Sequence, residues 1–215
     1  MLSVDFGNSK KLNLLLLGAH CDDIEIGCGG TLLRLVEENK IEHVKWVVFA
    51  STAERKKEAI DCAEFFLRGV ESKEIVVLNF EDTILNESKS EIKNVLVSIK
   101  NNFSPDLIFT HHRHDLHQDH KLLSELTWNI FRNHLVLEYE IPKYDGDLGH
   151  PNFFITLEER YVTKKIKALL NYYVSQKQKH WFDNETFVSL LRVRGLEIAS
   201  PTRYAEAFHV KKVSF

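Results

Sequence analysis

Residues 12–18 read LNLLLLG, and the polar, glycine-rich stretch AHCDDIEIGCGG follows at 19–30. A short, almost continuous apolar run that ends in glycine is typical of a strand buried on both faces of a parallel sheet. The polar stretch after it predicts a loop, and TLLRLVEENK at 31–40 then has the apolar spacing of a helix. The sequence therefore predicts a strand, a polar loop and a helix in that order.

The same alternation continues as far as residue 133. The apolar patterns predict further strands at 43–51, 74–80 and 106–111. Helices are predicted after them, at 54–69, 88–102 and 117–133. Repeated strand–helix–strand units indicate an α/β fold, in which helices cover both faces of a parallel sheet.

Beyond residue 135 the pattern is looser. It predicts two more strands and two helices, at 135–141, 205–210, 158–178 and 184–192. The loop YDGDLGHPN at 144–152 lies in an irregular region, 138–157, where we expect substrate recognition, with Tyr144 and Asp147 as candidates. No linker or repeat interrupts the chain, so a single domain over residues 1–215 is expected.

Composition excludes several classes of protein. The 215 residues are 44% hydrophobic and 27% charged, which excludes a disordered chain, a collagen and a coiled-coil rod. A net charge of −3 gives no basic excess for nucleic acid. No apolar run is long enough to enter a membrane, and the N-terminus MLSVDFGNSKK lacks a signal peptide's apolar core. Three cysteines without a CxxC pair fit a reducing compartment, so we expect a cytoplasmic protein.

Histidine is concentrated in one segment. Five of the 11 histidines lie at 111–120, directly after the fourth predicted strand. A second polar cluster, His20 to Asp23, follows the first strand. Because ligand sites of parallel sheets form beyond the carboxyl ends of the strands, we expect the two clusters to converge in space.

The spacing within each cluster suits a metal. His20 and Asp23 are three residues apart, and so are His117 and His120, which a helix beginning near residue 117 would aim at one point. Two histidines and a carboxylate with open positions describe a catalytic zinc site. Asp22 would point away from its neighbour Asp23 and could act as a general base.

Several motifs together resemble one family. AHCDD at 19–23 and HQDH at 117–120 resemble the AHPDD and HxDH motifs of the PIG-L/LmbE zinc-dependent N-deacetylases. GCGGTL at 27–32 is similar to the glycine-rich start of that family's first helix, and RKKE at 55–58 to its RxxE. RG at 194–195 followed by YAEAF at 204–208 resembles the C-terminal signature. The resemblance covers most of the chain in the right order.

The resemblance implies a Rossmann-like fold with zinc held by His20, Asp23 and His120. It implies that Asp22 is the general base that activates the zinc-bound water. His117 would stabilise the oxyanion and protonate the leaving amine.

It also implies supporting roles for further residues. Asp119 would orient His117 through a hydrogen bond. Arg55 and Asp82 are similar to residues that hold sugar hydroxyls. The implied substrate is a small N-acetylated amino sugar or its conjugate, and the trimers and hexamers common among such enzymes are the assemblies to test. Cys21 departs from the family because it stands where proline is usual, which leaves the loop between ligand and base less constrained.

Other interpretations stay open at this point. The acyl group could belong to another N-acyl amine, and two histidines with one carboxylate also describe non-haem iron(II) oxygenases. A non-catalytic metal- or sugar-binding protein is a third class, which the presence of both Asp22 and His117 disfavours. Arg55 could instead pair with Glu58 on the helix surface, and Arg194 and Glu206 are expected to form a structural ion pair.

Overall fold

The computed structural model describes residues 11–213. The prediction that the N-terminus lacks a signal peptide concerns residues 1–11, of which only Lys11 lies within this range. The strands are β1 (Leu12–Gly18), β2 (Ile41–Ala50), β3 (Ser72–Phe80), β4 (Leu107–His111), β5 (Leu135–Tyr139), β6 (Phe153–Leu157) and β7 (Tyr204–His209). The helices are α1 (Asp23–Glu37), α2 (Ala53–Phe66), α3 (Lys89–Asn102), α4 (Gln118–Ile130), α5 (Glu159–Tyr172) and α6 (Asn184–Glu197).

The strands form one seven-stranded sheet in the order β3-β2-β1-β4-β5-β7-β6. The first five strands in that order run parallel, and β7 runs antiparallel to both of its neighbours. The predicted α/β fold with a mostly parallel sheet is confirmed. Because β1 lies between β2 and β4, the strand order reverses at β1, and such a reversal opens a crevice at the carboxyl ends of the two strands.

Alternate side chains of β1 enter two separate cores. Leu14 and Leu16 pack on the face covered by α1, α2, α5 and α6. Leu15 and Leu17 pack on the opposite face, with apolar residues of α3 and α4. All four leucines are completely buried, and burial of each stabilises the fold by about 1.5–3 kcal/mol. This double burial explains why β1 is apolar throughout instead of alternating.

The first helix begins earlier than predicted. It starts at Asp23 and not near residue 31, so the glycine-rich stretch is helical and not a loop, apart from a non-helical kink at Cys28. Its glycines are required by close packing, since a Cβ on Gly27 would lie 2.3 Å from the Tyr139 ring and one on Gly30 2.4 Å from Leu157. Tertiary packing therefore overrides the low helix propensity of glycine here.

The C-terminal half differs from its prediction in three places. Strand β6 was not predicted, although the run FFITL at 153–157 is apolar and follows Pro151. Helix α5 ends at Tyr172 instead of 178, and a 3-10 turn at 174–176 follows. Helix α6 continues to Glu197, beyond the predicted end at 192. Within residues 11–213, no helix combines the length and apolar character needed to cross a membrane.

The expected ion pair between Arg194 and Glu206 is wrong, because each residue has a different buried partner. Arg194 donates to both carboxylate oxygens of Glu140, at 2.9 and 2.6 Å. Glu206 pairs with Lys165 at 2.7 Å and also accepts main-chain N–H bonds from α1. Glu140 directly follows β5 and Glu206 lies on the neighbouring β7, so sequence order alone could not assign their partners.

Candidate active site

The two polar clusters meet at the carboxyl ends of β1 and β4, as predicted. Parallel pairing of these strands brings the loop at residues 19–22 beside the start of α4. His20 Nδ1 lies 3.0 Å from His120 Nε2, although 100 residues separate them in the chain. Both imidazoles are buried.

The three predicted metal ligands face one another. The carboxylate of Asp23 lies 3.4 Å from His20 Nδ1 and 3.5 Å from His120 Nε2. Burial alone would raise the pKa of Asp23, but the imidazoles of His120, His111 and His20 hold that pKa well below its usual range. Burial, reinforced by His111, lowers the pKa of His120 to about 4. At neutral pH Asp23 is therefore ionised and His120 neutral, which are the forms that bind metals. Burial alone would lower the pKa of His20, but Asp23, Asp119 and Asp82 raise it well above its usual value, so a metal bound there would displace a proton from His20.

His111 could replace His20 in the ligand set by distance alone. Its Nε2 lies 3.1 Å from the Asp23 carboxylate, and within residues 11–213 Asp23, His111 and His120 form one of three groups whose ligand atoms lie within 4.8 Å of one another. However, His111 Nε2 is completely buried and already accepts the Ala19 N–H at 3.0 Å. That bond occupies the lone pair a metal would need, so His111 supports the loop, and His20 stays the predicted ligand.

Asp115, which no sequence motif had indicated, orients the site. One oxygen accepts from His120 Nδ1 at 3.0 Å, and the other accepts from the His117 N–H at 2.8 Å. A carboxylate behind a ligand histidine fixes its tautomer and ring orientation. A carboxylate inside a histidine-rich segment is a signal that could have identified this residue.

Asp119 does not hold His117 as predicted. Its carboxylate accepts the N–H groups of Thr83 and Leu85 and lies 3.2 Å from His20 Nε2. The main-chain N–H of Asp119, not its side chain, contacts His117, because His117 is the N-cap of α4 and accepts that N–H on Nδ1 at 3.3 Å. Asp119 therefore orients His20 and ties the segment after β3 to the site.

His117 stands at the edge of the ligand cluster. Its ring centre lies 4.5 Å from that of His120 and 4.9 Å from that of His20. Burial, with a further contribution from His20, lowers the pKa of His117. Since Nδ1 accepts a hydrogen bond, the proton of the neutral ring belongs on Nε2, which can then act as a donor.

Asp22 points away from Asp23 and pairs with Arg55. Arg55 Nη2 donates to Asp22 Oδ1 at 2.9 Å, while the buried Oδ2 has no partner within residues 11–213. Burial raises the pKa of Asp22, and Arg55 counteracts this in part. Arg55 also reaches Asp82 at 3.4 Å, so it faces the site and not Glu58, which binds Ser175 instead.

Asp82 contacts the ligand cluster from the segment after β3. Its Oδ1 lies 2.9 Å from His20 Nε2, yet its side chain is 46% exposed. The hydrogen bond from His20 lowers the pKa of Asp82 to about 2. Predicted substrate residues Arg55 and Asp82 thus both stand beside the predicted base and ligands.

Cys21 does not compete with the ligands. Its thiol points to the Ala50 carbonyl oxygen at 3.6 Å, on the core side of the loop. Burial raises the pKa of Cys21 to about 12. Because metals bind the thiolate, this neutral thiol is a poor ligand. The Tyr173 hydroxyl donates to the Cys21 carbonyl and holds the loop without the proline.

Comparison of the chain with known protein families shows the family to which it belongs. Residues 15–131 match the family model described as PIG-L, GlcNAc-PI de-N-acetylase. The chain belongs to the PIG-L family. PIG-L proteins are metal-dependent deacetylases, that is, hydrolases of amide bonds, and the His/Asp cluster of this member can bind a metal.

Relatives extend the likeness beyond the matched segment. The uncharacterized deacetylase YaiS of Escherichia coli K12 is 31% identical over 173 residues, which are 75% of this chain and 90% of YaiS. N,N′-diacetylchitobiose deacetylase from Pyrococcus horikoshii shares the fold, with a TM-score of 0.69 at 21% identity over 93% of this chain and 83% of that one.

The fold also hosts another reaction. GalB, the 4-carboxy-2-hydroxymuconate hydratase of Pseudomonas putida KT2440, superposes with a TM-score of 0.70 at 18% identity over 94% of this chain and 98% of that one. The fold alone therefore does not set the chemistry, which has to be argued from the site.

Proposed function

We propose that this PIG-L protein is a zinc-dependent hydrolase that removes the acetyl group from an N-acetylglucosamine-type sugar or its conjugate. The observation that carries the proposal is the buried convergence of His20, Asp23 and His120, next in the chain to Asp22, whose Oδ2 has no hydrogen-bond partner in the described part of the chain. The base distinguishes this arrangement from an iron oxygenase site, which needs no hydrolytic base.

The donor set fits zinc. Ligand atoms about 2.0–2.1 Å from one tetrahedral ion are about 3.3 Å apart. The two imidazoles approach each other at 3.0 Å, and the nearest oxygen of Asp23 lies 3.4 Å from His20 and its other oxygen 3.5 Å from His120, all close to that separation. Zinc bound there would lower the pKa of a coordinated water to about 7 and polarise the amide carbonyl.

Asp22 is proposed to take the proton from the attacking water. It is buried, so its carboxylate is more basic than an exposed one, and a base with a pKa nearer neutral is more effective. Arg55 holds Oδ1, which fixes the carboxylate while Oδ2 stays free to accept. Asp22 can then give up that proton, and His117 is proposed to protonate the leaving amine, as the resemblance implies.

Recognition of the sugar is proposed for Arg55 and Asp82. Arg55 Nε is buried and has no partner within the described residues, so it can donate to a substrate oxygen. Asp82 presents a half-exposed, ionised carboxylate that can accept from a sugar hydroxyl. The diacetylchitobiose deacetylase supports a sugar substrate by analogy. A cytoplasmic location is supported by three free cysteines, and a trimer or hexamer stays a prediction.

Acetate release tests the proposal directly. Purified protein would be incubated with N-acetylglucosamine, N,N′-diacetylchitobiose, UDP-N-acetylglucosamine and simple N-acetylglucosaminides. We expect acetate from at least one compound, loss of release after metal removal with a chelator, and recovery with zinc. No release from any compound by protein that holds stoichiometric zinc would contradict the sugar class and redirect the search to other N-acyl amines.

His117→Ala should separate oxyanion stabilisation from metal binding. Because Nδ1 accepts the Asp119 N–H, the Nε2–H of His117 is proposed to donate to the developing oxyanion, and loss of one such donor costs about 10²–10³-fold in kcat. Zinc content should stay near that of the unmodified protein, as measured by elemental analysis. If zinc and turnover disappeared together, His117 would instead be a metal ligand, since it also lies within coordinating distance of His20 and His120.

A further inference from the structure

The loop that joins β5 to β6, residues 140–152, is fixed at its base. Arg194 of α6 donates two hydrogen bonds to the Glu140 carboxylate, at 2.9 and 2.6 Å. The same guanidinium donates to the Gly149 carbonyl at 3.1 Å. Both ends of the segment 140–149 are thereby tied to one buried side chain, so the segment between them has a defined position.

The middle of this loop binds the segment that carries the active-site histidines. Lys143 Nζ lies 2.6 Å from each carboxylate oxygen of Asp147 and 3.0 Å from Asp115. Asp147 also accepts the Leu116 N–H at 2.7 Å. The Lys143 and Asp147 side chains are only 9% and 6% exposed, so these are desolvated contacts and not a screened surface pair.

The network ends at the proposed ligand and the proposed oxyanion donor. Lys143 Nζ and His120 Nδ1 contact the same oxygen of Asp115, Oδ2, and each lies 3.0 Å from it. Its other oxygen accepts the His117 N–H, next to the Leu116 N–H held by Asp147. Lys143 therefore fixes the carboxylate that orients His120, and Asp147 fixes the main chain that leads into His117.

We propose that Lys143 and Asp147 are positioning residues that hold His120 for metal binding and His117 for oxyanion stabilisation. This inference rests on the proposed function, because it takes the roles of both histidines from it. It also replaces the expectation that Asp147 binds substrate, since both Asp147 oxygens are engaged inside the protein.

The charges around Lys143 explain why its loss should weaken metal binding. Lys143 separates two buried carboxylates, Asp115 and Asp147. Without its ammonium group they would repel each other, and the Asp115 oxygen behind His120 would lose its anchor. Changes in such partners of a metal ligand typically weaken metal affinity or activity by about 10–100-fold.

The test compares Lys143→Met, which removes the charge and keeps the length, with Lys143→Arg and with Lys57→Met. Lys57 forms an exposed pair with Asp61 and serves as the control. Zinc Kd would be measured by competition with a chromophoric chelator, kcat by acetate release, and Tm on metal-free protein. We expect Lys143→Met to weaken zinc binding by about 10–100-fold, with Lys143→Arg restoring most of the affinity and Lys57→Met unchanged.

Several results would overturn the inference. Unchanged zinc Kd and kcat in folded Lys143→Met would do so, and so would an equal loss in Lys57→Met. If Lys143→Met does not fold, Asp147→Asn decides instead, with weaker zinc binding or lower kcat expected and unchanged values contradicting the inference. His120→Ala runs in parallel: zinc loss there with none in Lys143→Met refutes only this inference, whereas full zinc retention in His120→Ala refutes the proposed function as well.

Discussion

Asp22→Asn is expected to keep its zinc and to lose about 10²–10⁴-fold in turnover, the range that general base catalysis contributes. Asparagine has the same shape and can still accept the Arg55 hydrogen bond that Asp22 Oδ1 accepts at 2.9 Å. Its amide cannot take a proton from water. The substitution therefore removes the chemistry and leaves the ligands His20, Asp23 and His120 in place.

Three measurements make the Asp22 result specific. Zinc content and Tm should match the unmodified protein, while kcat falls. In the unmodified enzyme kcat should rise as pH increases through the pKa of Asp22, since only the ionised carboxylate accepts a proton, and the variant should lack that rise. Asp61→Asn, a carboxylate change on the exposed face of α2, is the matched control. Turnover near that of the unmodified protein in Asp22→Asn would remove Asp22 as the base.

The general position of the site could be predicted because it depends on local patterns and one topological rule. The apolar run of β1 and the polar residues after it are visible in the sequence, and so is the histidine-rich segment after β4. Parallel strands place their carboxyl ends at one edge, so both clusters had to lie at that edge. The sequence did not predict that β1 and β4 are direct neighbours in the sheet. This pairing brings His20 to His120.

The supporting contacts could not be predicted, because they depend on which distant charged groups the packing brings together. Lys143 reaches Asp115, and Lys165 reaches Glu206 across 41 residues of sequence. Acidic and basic residues are numerous in this chain, and no local pattern selects one partner over another. The contact expected between the Asp119 side chain and His117 could not be tested by pattern for the same reason, since the Asp119 carboxylate accepts N–H groups of the distant segment after β3.

The glycine-rich start of α1 shows the opposite case, in which a local pattern was misleading. Three glycines in four residues favour a loop by propensity. Glycine is required because Tyr139, Phe66 and Leu157 occupy the space where side chains would be, and this close packing outweighs the low helix propensity of glycine. That neighbourhood also contains Glu206, which explains why the YAEAF stretch at 204–208 matters to a helix far away in sequence.

Glu206→Ala is expected to lower the free energy of unfolding by about 3–5 kcal/mol, the cost of removing one partner from a buried ion pair. Glu206 accepts the N–H groups of Gly30 and Thr31 at 2.8 and 2.7 Å, just after the kink at Cys28. It therefore caps the second half of α1, whose first N–H groups would otherwise lack acceptors. Its removal also leaves the buried Lys165 ammonium without its carboxylate.

Urea unfolding of metal-free protein would measure this loss, because bound metal adds its own stabilisation. Lys57→Ala, which breaks an exposed and solvent-screened pair, should leave stability almost unchanged. The double variant Lys165→Met with Glu206→Ala should recover only part of the loss, since the N–H groups of α1 stay uncapped. A change below about 1 kcal/mol in Glu206→Ala would contradict the capping role. In that event the kink at Cys28 would have to be held by packing of the three glycines alone.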